Sequence, residues 1–138
     1  MAIESNNNQY TGYRPRPNKA VVNHTPMANL PYSQEAESAL LGTLLMDARN
    51  YVIVSSLIDA GDFFIPRHQY IYNAISALFE AGQDVDVITV SDKLKSLKQL
   101  EDSGGDAYLT HLLTSSETTA HFETYAKIIQ KYAARRMI

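Results

Sequence analysis

The sequence predicts an all-α fold, an orthogonal bundle of about six helices whose last member is long. Three observations predict it. Apolar residues recur at three- and four-residue spacing from Ala36 to Ala133, the period of one helical face. Helix-start residues (Ser33, Pro66, Asp86) and turn glycines (Gly61, Gly82, Gly104, Gly105) fall at the edges of these periodic windows. The one β-branched run, Val85 to Val90, has no second strand to pair with, and a lone strand is unstable.

The elements follow in order. Residues 1–30 hold four Asn in the first 18 positions together with Pro15, Pro17 and Pro26. No helical or strand period survives there, so a disordered tail is expected, with a single domain over 31–138. Ser33 is placed to cap the first helix, Gln34 to Met46, with Glu35 and Glu37 in the first turn where the helix dipole favours carboxylates. Ala36, Leu40, Leu41, Leu44 and Leu45 form its inner face. A second helix is expected over Arg49 to Asp59, with Val52, Val54, Leu57 and Ile58 inward and Gly61 as its left-handed stop. Asp62-Phe63-Phe64 reads as an aromatic plug.

Pro66 suits a first helical turn, and the third helix is expected over Pro66 to Ala81, with Ile71, Ile75, Leu78 and Phe79 inward and Gly82 behind it. Asp86 can cap a fourth helix, Val87 to Leu97, in preference to the strand its β-branched residues would also permit. Gly104-Gly105 is a turn before a short helix, Asp106 to Leu113. The last helix runs from about Thr119 to the C-terminus with a stripe of Phe122, Tyr125, Ala126, Ile129, Tyr132 and Ala133. It has neither cap nor Gly at its end, which predicts that the natural sequence continues and that one side of this helix lacks its partner.

Composition narrows the function. With no Cys there is no disulfide framework, thiolate metal site or Cys nucleophile. No apolar run approaches a membrane span, the polar N-terminus does not read as a signal peptide, and a cytoplasmic protein is expected. Net charge is −3: residues 1–30 carry +2 (Glu4 against Arg14, Arg16 and Lys19) and the remainder carries −5. A body of that sign repels phosphate, so tight DNA binding by this domain is not expected.

No catalytic constellation, cofactor site or metal site is expected. None of the six glycines opens a G-x-x-x-x-G-K-[ST] loop. His24, His68, His111 and His121 include no pair at ligand spacing beside a carboxylate. His68 reads as a partly buried structural residue bonded to backbone or carboxylate, and Ser33, Glu35, Glu37, Asp84 and Asp86 read as helix-start residues before they read as acid–base groups.

Leu30-Pro31-Tyr32-Ser33-Gln34-Glu35-Ala36-Glu37 followed by Leu40-Leu41-Gly42 resembles the opening of the N-terminal domain of DnaB-type replicative DNA helicases. So do Asp62-Phe63-Phe64 leading to His68 and Ile71-Tyr72, then Asp86-Val87-Ile88-Thr89-Val90 with Leu94 and Leu100. Gly104-Gly105-Asp106-Ala107-Tyr108-Leu109 and Tyr125-Ala126-Lys127-Ile128-Ile129 to Arg135-Arg136-Met137-Ile138 complete a collinear resemblance over Leu30 to Ile138. Lys98 stands where the family often has Gly, and Ser103 where an apolar residue often precedes the two glycines, both at an expected surface turn. The resemblance implies a helical collar domain whose last helix is the first arm of a hairpin. It implies pairing with other helicase protomers, and docking of primase and, in some lineages, of a loader. The ATP and Mg of such a helicase would belong to a motor domain absent from these 138 residues. Tyr125, Ile128, Ile129 and Tyr132 are the self-association candidates. The alternative is a free-standing truncated relative that modulates a host helicase or primase. A small DNA-binding protein using Lys93, Lys95 and Lys98 is the third reading.

Overall fold

The computed structural model describes residues 30–116 and 118–137, so the expectation of a disordered tail lies outside the described residues. Among the described residues there are six α-helices and no strand: α1 (Gln34–Met46), α2 (Tyr51–Val54), α3 (Pro66–Glu80), α4 (Val87–Ser96), α5 (Gly105–Ser115) and α6 (Phe122–Arg136). Short 3₁₀ turns at Ala48–Asn50 and Ala60–Asp62 flank α2. The expected all-α fold is what the chain adopts.

α1 is the central element, packed against α3, α5 and α6. Its start follows from Ser33, whose Oγ accepts from the Ala36 N–H at 3.1 Å. Leu40, Leu41 and Leu44 are fully enclosed, and together with Phe63, Ile71, Ile75, Val90, Leu94, Leu109, Leu112 and Ile129 they make one core. α1 and α5 approach closely at Gly42. A Cβ there would stand 2.3 Å from the Leu112 carbonyl oxygen, nearer than atoms tolerate. α4 joins α5 through a hydrogen bond donated by Ser91 Oγ to Asp106 Oδ1.

The second helix differs most from expectation. It is the four-residue α2, not Arg49 to Asp59. Ser55 and Ser56 turn their hydroxyls back to the carbonyls of Val52 and Ile53, at 3.1 and 2.6 Å, the local bonding by which serine competes with helix continuation. The inward phase is also shifted: Tyr51, Val54 and Ile58 are buried, whereas Val52 is 60 % exposed. Gly61 does not stop a helix in a left-handed conformation. It lies within the 3₁₀ turn Ala60–Asp62, with its N–H donated to Asp59 Oδ1 at 3.1 Å. Arg49 donates two side-chain hydrogen bonds to Asp47, of 2.9 and 2.8 Å, and these lower the Asp47 carboxyl to a pKa of about 2.

The ends of α3 and α4 share one geometry. After α3, Gly82 at φ +74° donates to Phe79 O and Gln83 donates to Leu78 O, at 3.0 and 2.9 Å. After α4, Lys98 at φ +59° donates to Lys95 O and Gln99 to Leu94 O, at 3.0 and 2.8 Å. Both are Schellman closures, which need a left-handed residue just past the cap. Gly82 adopts that conformation freely; Lys98 does so against its own Cβ. The nearby Ser103 is not at the surface, as expected, but fully buried, and its Oγ has no hydrogen-bond partner.

The two departures from the family pattern therefore each carry a penalty. Lys98→Gly and Ser103→Ala are each expected to raise stability by about 1 kcal/mol, read as a higher urea midpoint at unchanged slope.

Candidate functional site

The polar centre of the protein begins with Glu37, one turn into α1 and 1 % exposed. A carboxylate so enclosed is unfavourable unless every oxygen is met by a donor. Here the Phe64 N–H donates to Oε2 at 2.8 Å and the Ile65 N–H to Oε1 at 3.3 Å. These are backbone groups just ahead of α3, left free because a helix start has no intrahelical acceptor for them. Oε1 also meets His68 Nδ1 at 2.8 Å, and His68 Nε2 meets the Tyr108 hydroxyl at 2.6 Å.

Each neighbour has its own local cause. Pro66 starts α3 and sets His68 in its first turn, facing inward and wholly buried. Gly104, at φ +96°, opens α5 and brings Tyr108 against its own backbone. A Cβ on Gly104 would lie 2.6 Å from Tyr108 Cβ, so glycine serves both the turn and the contact. Around the line of polar groups, Phe63 meets the His68 ring edge-on at 6.3 Å, and Arg67 lies over the Tyr108 ring at 4.7 Å. His111 stacks on Tyr108 at 6.0 Å.

A carboxylate, an imidazole and a hydroxyl in series have the connectivity of a proton relay. The imidazole and carboxylate are enclosed on all sides, so no substrate reaches them, and the arrangement ties α1, the Phe63–Phe64 plug, α3 and α5 together. His68 was expected to be a partly buried residue bonded to backbone or carboxylate; it is bonded to the Glu37 carboxyl, and it is fully buried. Glu37, read in the sequence as a first-turn charge equivalent to Glu35, is not equivalent: Glu35 is exposed. The bonds that His68 makes to Tyr108 and to Glu37 were not read from the sequence. The available clue was the 31-residue separation of two polar residues on inward-facing positions, which sequence spacing alone does not connect.

The structure also places the residues of α6 singled out in the sequence. Ile129 is 2 % exposed in the chain's own core. Tyr125 and Ile128 are half-buried and rest on that core, and Tyr132 is half-buried with Lys131 and Arg135 near its ring at 5.0 and 5.5 Å. α6 is anchored at its far end. Gln130 Nε2 donates to Leu57 O at 3.1 Å, Arg136 Nη2 donates to Asp62 O at 2.6 Å, and Arg136 lies 5.2 Å from the centre of the Phe64 ring. Of the basic candidates, Lys95 and Lys98 line a shallow hollow with Glu101 and Asp102, which offset their charge. Asp84 and Asp86 are exposed, and Asp86 caps α4 by accepting from Thr89 N–H at 2.8 Å.

Residues 29–131 match the family described as DnaB-like helicase N terminal domain. The chain is 38 % identical over 109 residues to the replicative DNA helicase DnaC of Bacillus subtilis, covering 78 % of this chain and 24 % of that protein. The replicative DNA helicase DnaB of Geobacillus stearothermophilus gives the same identity and coverage. The chain thus spans about a quarter of the length of these curated relatives. Among solved structures, the N-terminal domain of DnaB helicase from Mycobacterium tuberculosis is similar with a TM-score of 0.76 and 32 % identity, over 78 % of each chain. The structure of a DnaB-like replicative helicase and its interactions with primase is similar with a TM-score of 0.67 and 25 % identity, over 76 % of this chain and 25 % of that one.

The separate roles of the two first-turn carboxylates are measurable. Glu37→Ala strands three donors, the buried His68 ring among them, and is expected to lower stability by about 3–5 kcal/mol. Glu35→Ala removes only a charge near a helix N-terminus and is expected to lower it by about 0.5 kcal/mol. Thermal unfolding of the two variants side by side checks this.

Proposed function

The chain belongs to the DnaB-like helicase N-terminal domain family, and from that premise we propose that residues 31–138 serve as the collar module of a replicative DNA helicase. In this reading the module works by protein–protein contact: it helps assemble a hexameric ring and offers a docking surface for primase and, in some lineages, a loader. ATP and Mg would act in a separate motor domain of the full-length enzyme, in the cytoplasm. The observation that carries the reading is the collinear match over residues 29–131 together with the likeness to a separately solved helicase N-terminal domain. Primase is the favoured partner because the second similar structure is that of a helicase described with its primase interactions.

One feature of the molecule supports contact over chemistry: the carboxylate–imidazole pair is sealed from solvent. For self-association we propose the α6 face bearing Tyr125, Ile128 and Tyr132. Ile129, the fourth candidate, supports that face from within the core.

Light scattering coupled to size exclusion tests the proposal. The chain is expected to co-elute with the primase encoded in the same genome, and to self-associate at least tenfold more weakly when Tyr132 is changed to Asp. Separate elution from primase would overturn the docking role, and a Tyr132→Asp variant that associates as the wild type does would overturn the assignment of the α6 face.

A further inference from the structure

We propose that two cations of α6, Lys131 and Arg135, dock on the acidic corner between α3 and α4 of a second copy of this chain, against Asp84 and Asp92. The proposal names the surface that the α6 face meets, and it rests on the reading of α6 as a self-association face.

Charge is unevenly spread over the described residues. α6 holds Lys127, Lys131, Arg135 and Arg136 against the single carboxylate Glu123. Two of the four cations are engaged within the chain: Lys127 pairs with Glu123, and Arg136 donates to Asp62 O. Lys131 and Arg135 are exposed, one helical turn apart, on either side of the half-buried Tyr132.

The stretch 80–92 has the opposite sign. It holds Glu80, Asp84, Asp86 and Asp92 and no basic residue. Two of these four are also engaged: Glu80 accepts from the Tyr51 hydroxyl, and Asp86 caps α4. Asp84 and Asp92 are exposed and line a hollow of about 790 Å³ in which Lys93, partly buried, is the one cation. Ile88 lines the same hollow and is 78 % exposed, which offers the Tyr132 ring an apolar surface between the charges.

Within one chain the two groups stay apart. α6 packs on α1 and α2, whereas α4 packs on α3 and α5, and among the described residues no ion pair joins them. A second copy supplies each group with its complement. Pairing α6 with α6 across a two-fold axis would instead set the same cations of two helices against one another, and like charges in contact oppose association. A contact between unlike faces satisfies the charges whether it repeats from copy to copy around a ring or occurs twice across a two-fold axis.

Sedimentation equilibrium of the full 138-residue chain and two charge-reversed variants tests the proposal. One variant carries Lys131→Glu with Arg135→Glu, the other Asp84→Lys with Asp92→Lys. Each sets like charges face to face and is expected to self-associate at least about tenfold more weakly than the wild type. Their equimolar mixture is expected to return to within about threefold of the wild type, because every contact between unlike variants joins opposite charges again. Mixing does not repair a misfolded chain, so this recovery reports on the interface. A mixture as weak as either variant alone would overturn the proposal. If the Asp84→Lys, Asp92→Lys variant associates as the wild type does while the α6 variant is weakened, the corner is overturned and the α6 face stands. A wild-type chain that stays monomeric at every concentration overturns both.

Discussion

One buried carboxylate sets the terms for its neighbours. Glu37 lies in the innermost helix among leucines, where an ion stays only if its oxygens are fully bonded. The donors come from three sources: two backbone amides ahead of α3 and one imaginable only if His68 faces inward. Satisfying them fixes how α3 enters the bundle. The Phe63–Phe64 plug is held in place by its own backbone, Phe63 goes into the core, and Phe64 stacks on Tyr32 at 4.4 Å. His68 then reaches Tyr108, which is possible because Gly104 lets α5 begin with the tyrosine folded against it.

Sequence reading succeeded where a single chemical cause acts locally. The bounds of α1 were readable because Ser33 caps it and its leucines keep a helical period. α4 was readable as a helix because Asp86 and Thr89 bond reciprocally across its first turn, which outweighs the β-branched run. It failed where causes compete or act at a distance. α2 is short because serine hydroxyls bond its carbonyls, a preference that the spacing of Val52, Val54 and Ile58 does not reveal. Glu37 and Glu35 look alike in sequence, and only the tertiary partner separates them. Ser103 and Lys98 were noticed as unusual, yet their burial and left-handed backbone had to come from the fold.

The same logic bears on the proposed docking role. α6 is joined to the body near both the α2 segment and the plug by Gln130 and Arg136. Its inner stripe of Ala126, Ile129 and Ala133 is buried, while Glu123, Lys127 and Lys131 remain in water, Glu123 and Lys127 as an ion pair at 3.3 Å. In the proposed role, a helix held in this way would bring its half-buried tyrosines already ordered, which lowers the ordering cost of association. Because Glu37 positions the plug on which Arg136 rests, the polar centre and the proposed pairing helix are parts of one framework.

Native-state hydrogen exchange at the Phe64 and Ile65 amides would examine the role of Glu37 most directly. Both amides precede α3, in a stretch without backbone acceptors of its own, so only the buried carboxylate can protect them. If Glu37 organises the fold, they exchange only through global unfolding, as slowly as amides in the middle of α1 and α3. Exchange at the rate of an ordinary exposed loop, with the core helices still protected, would contradict it.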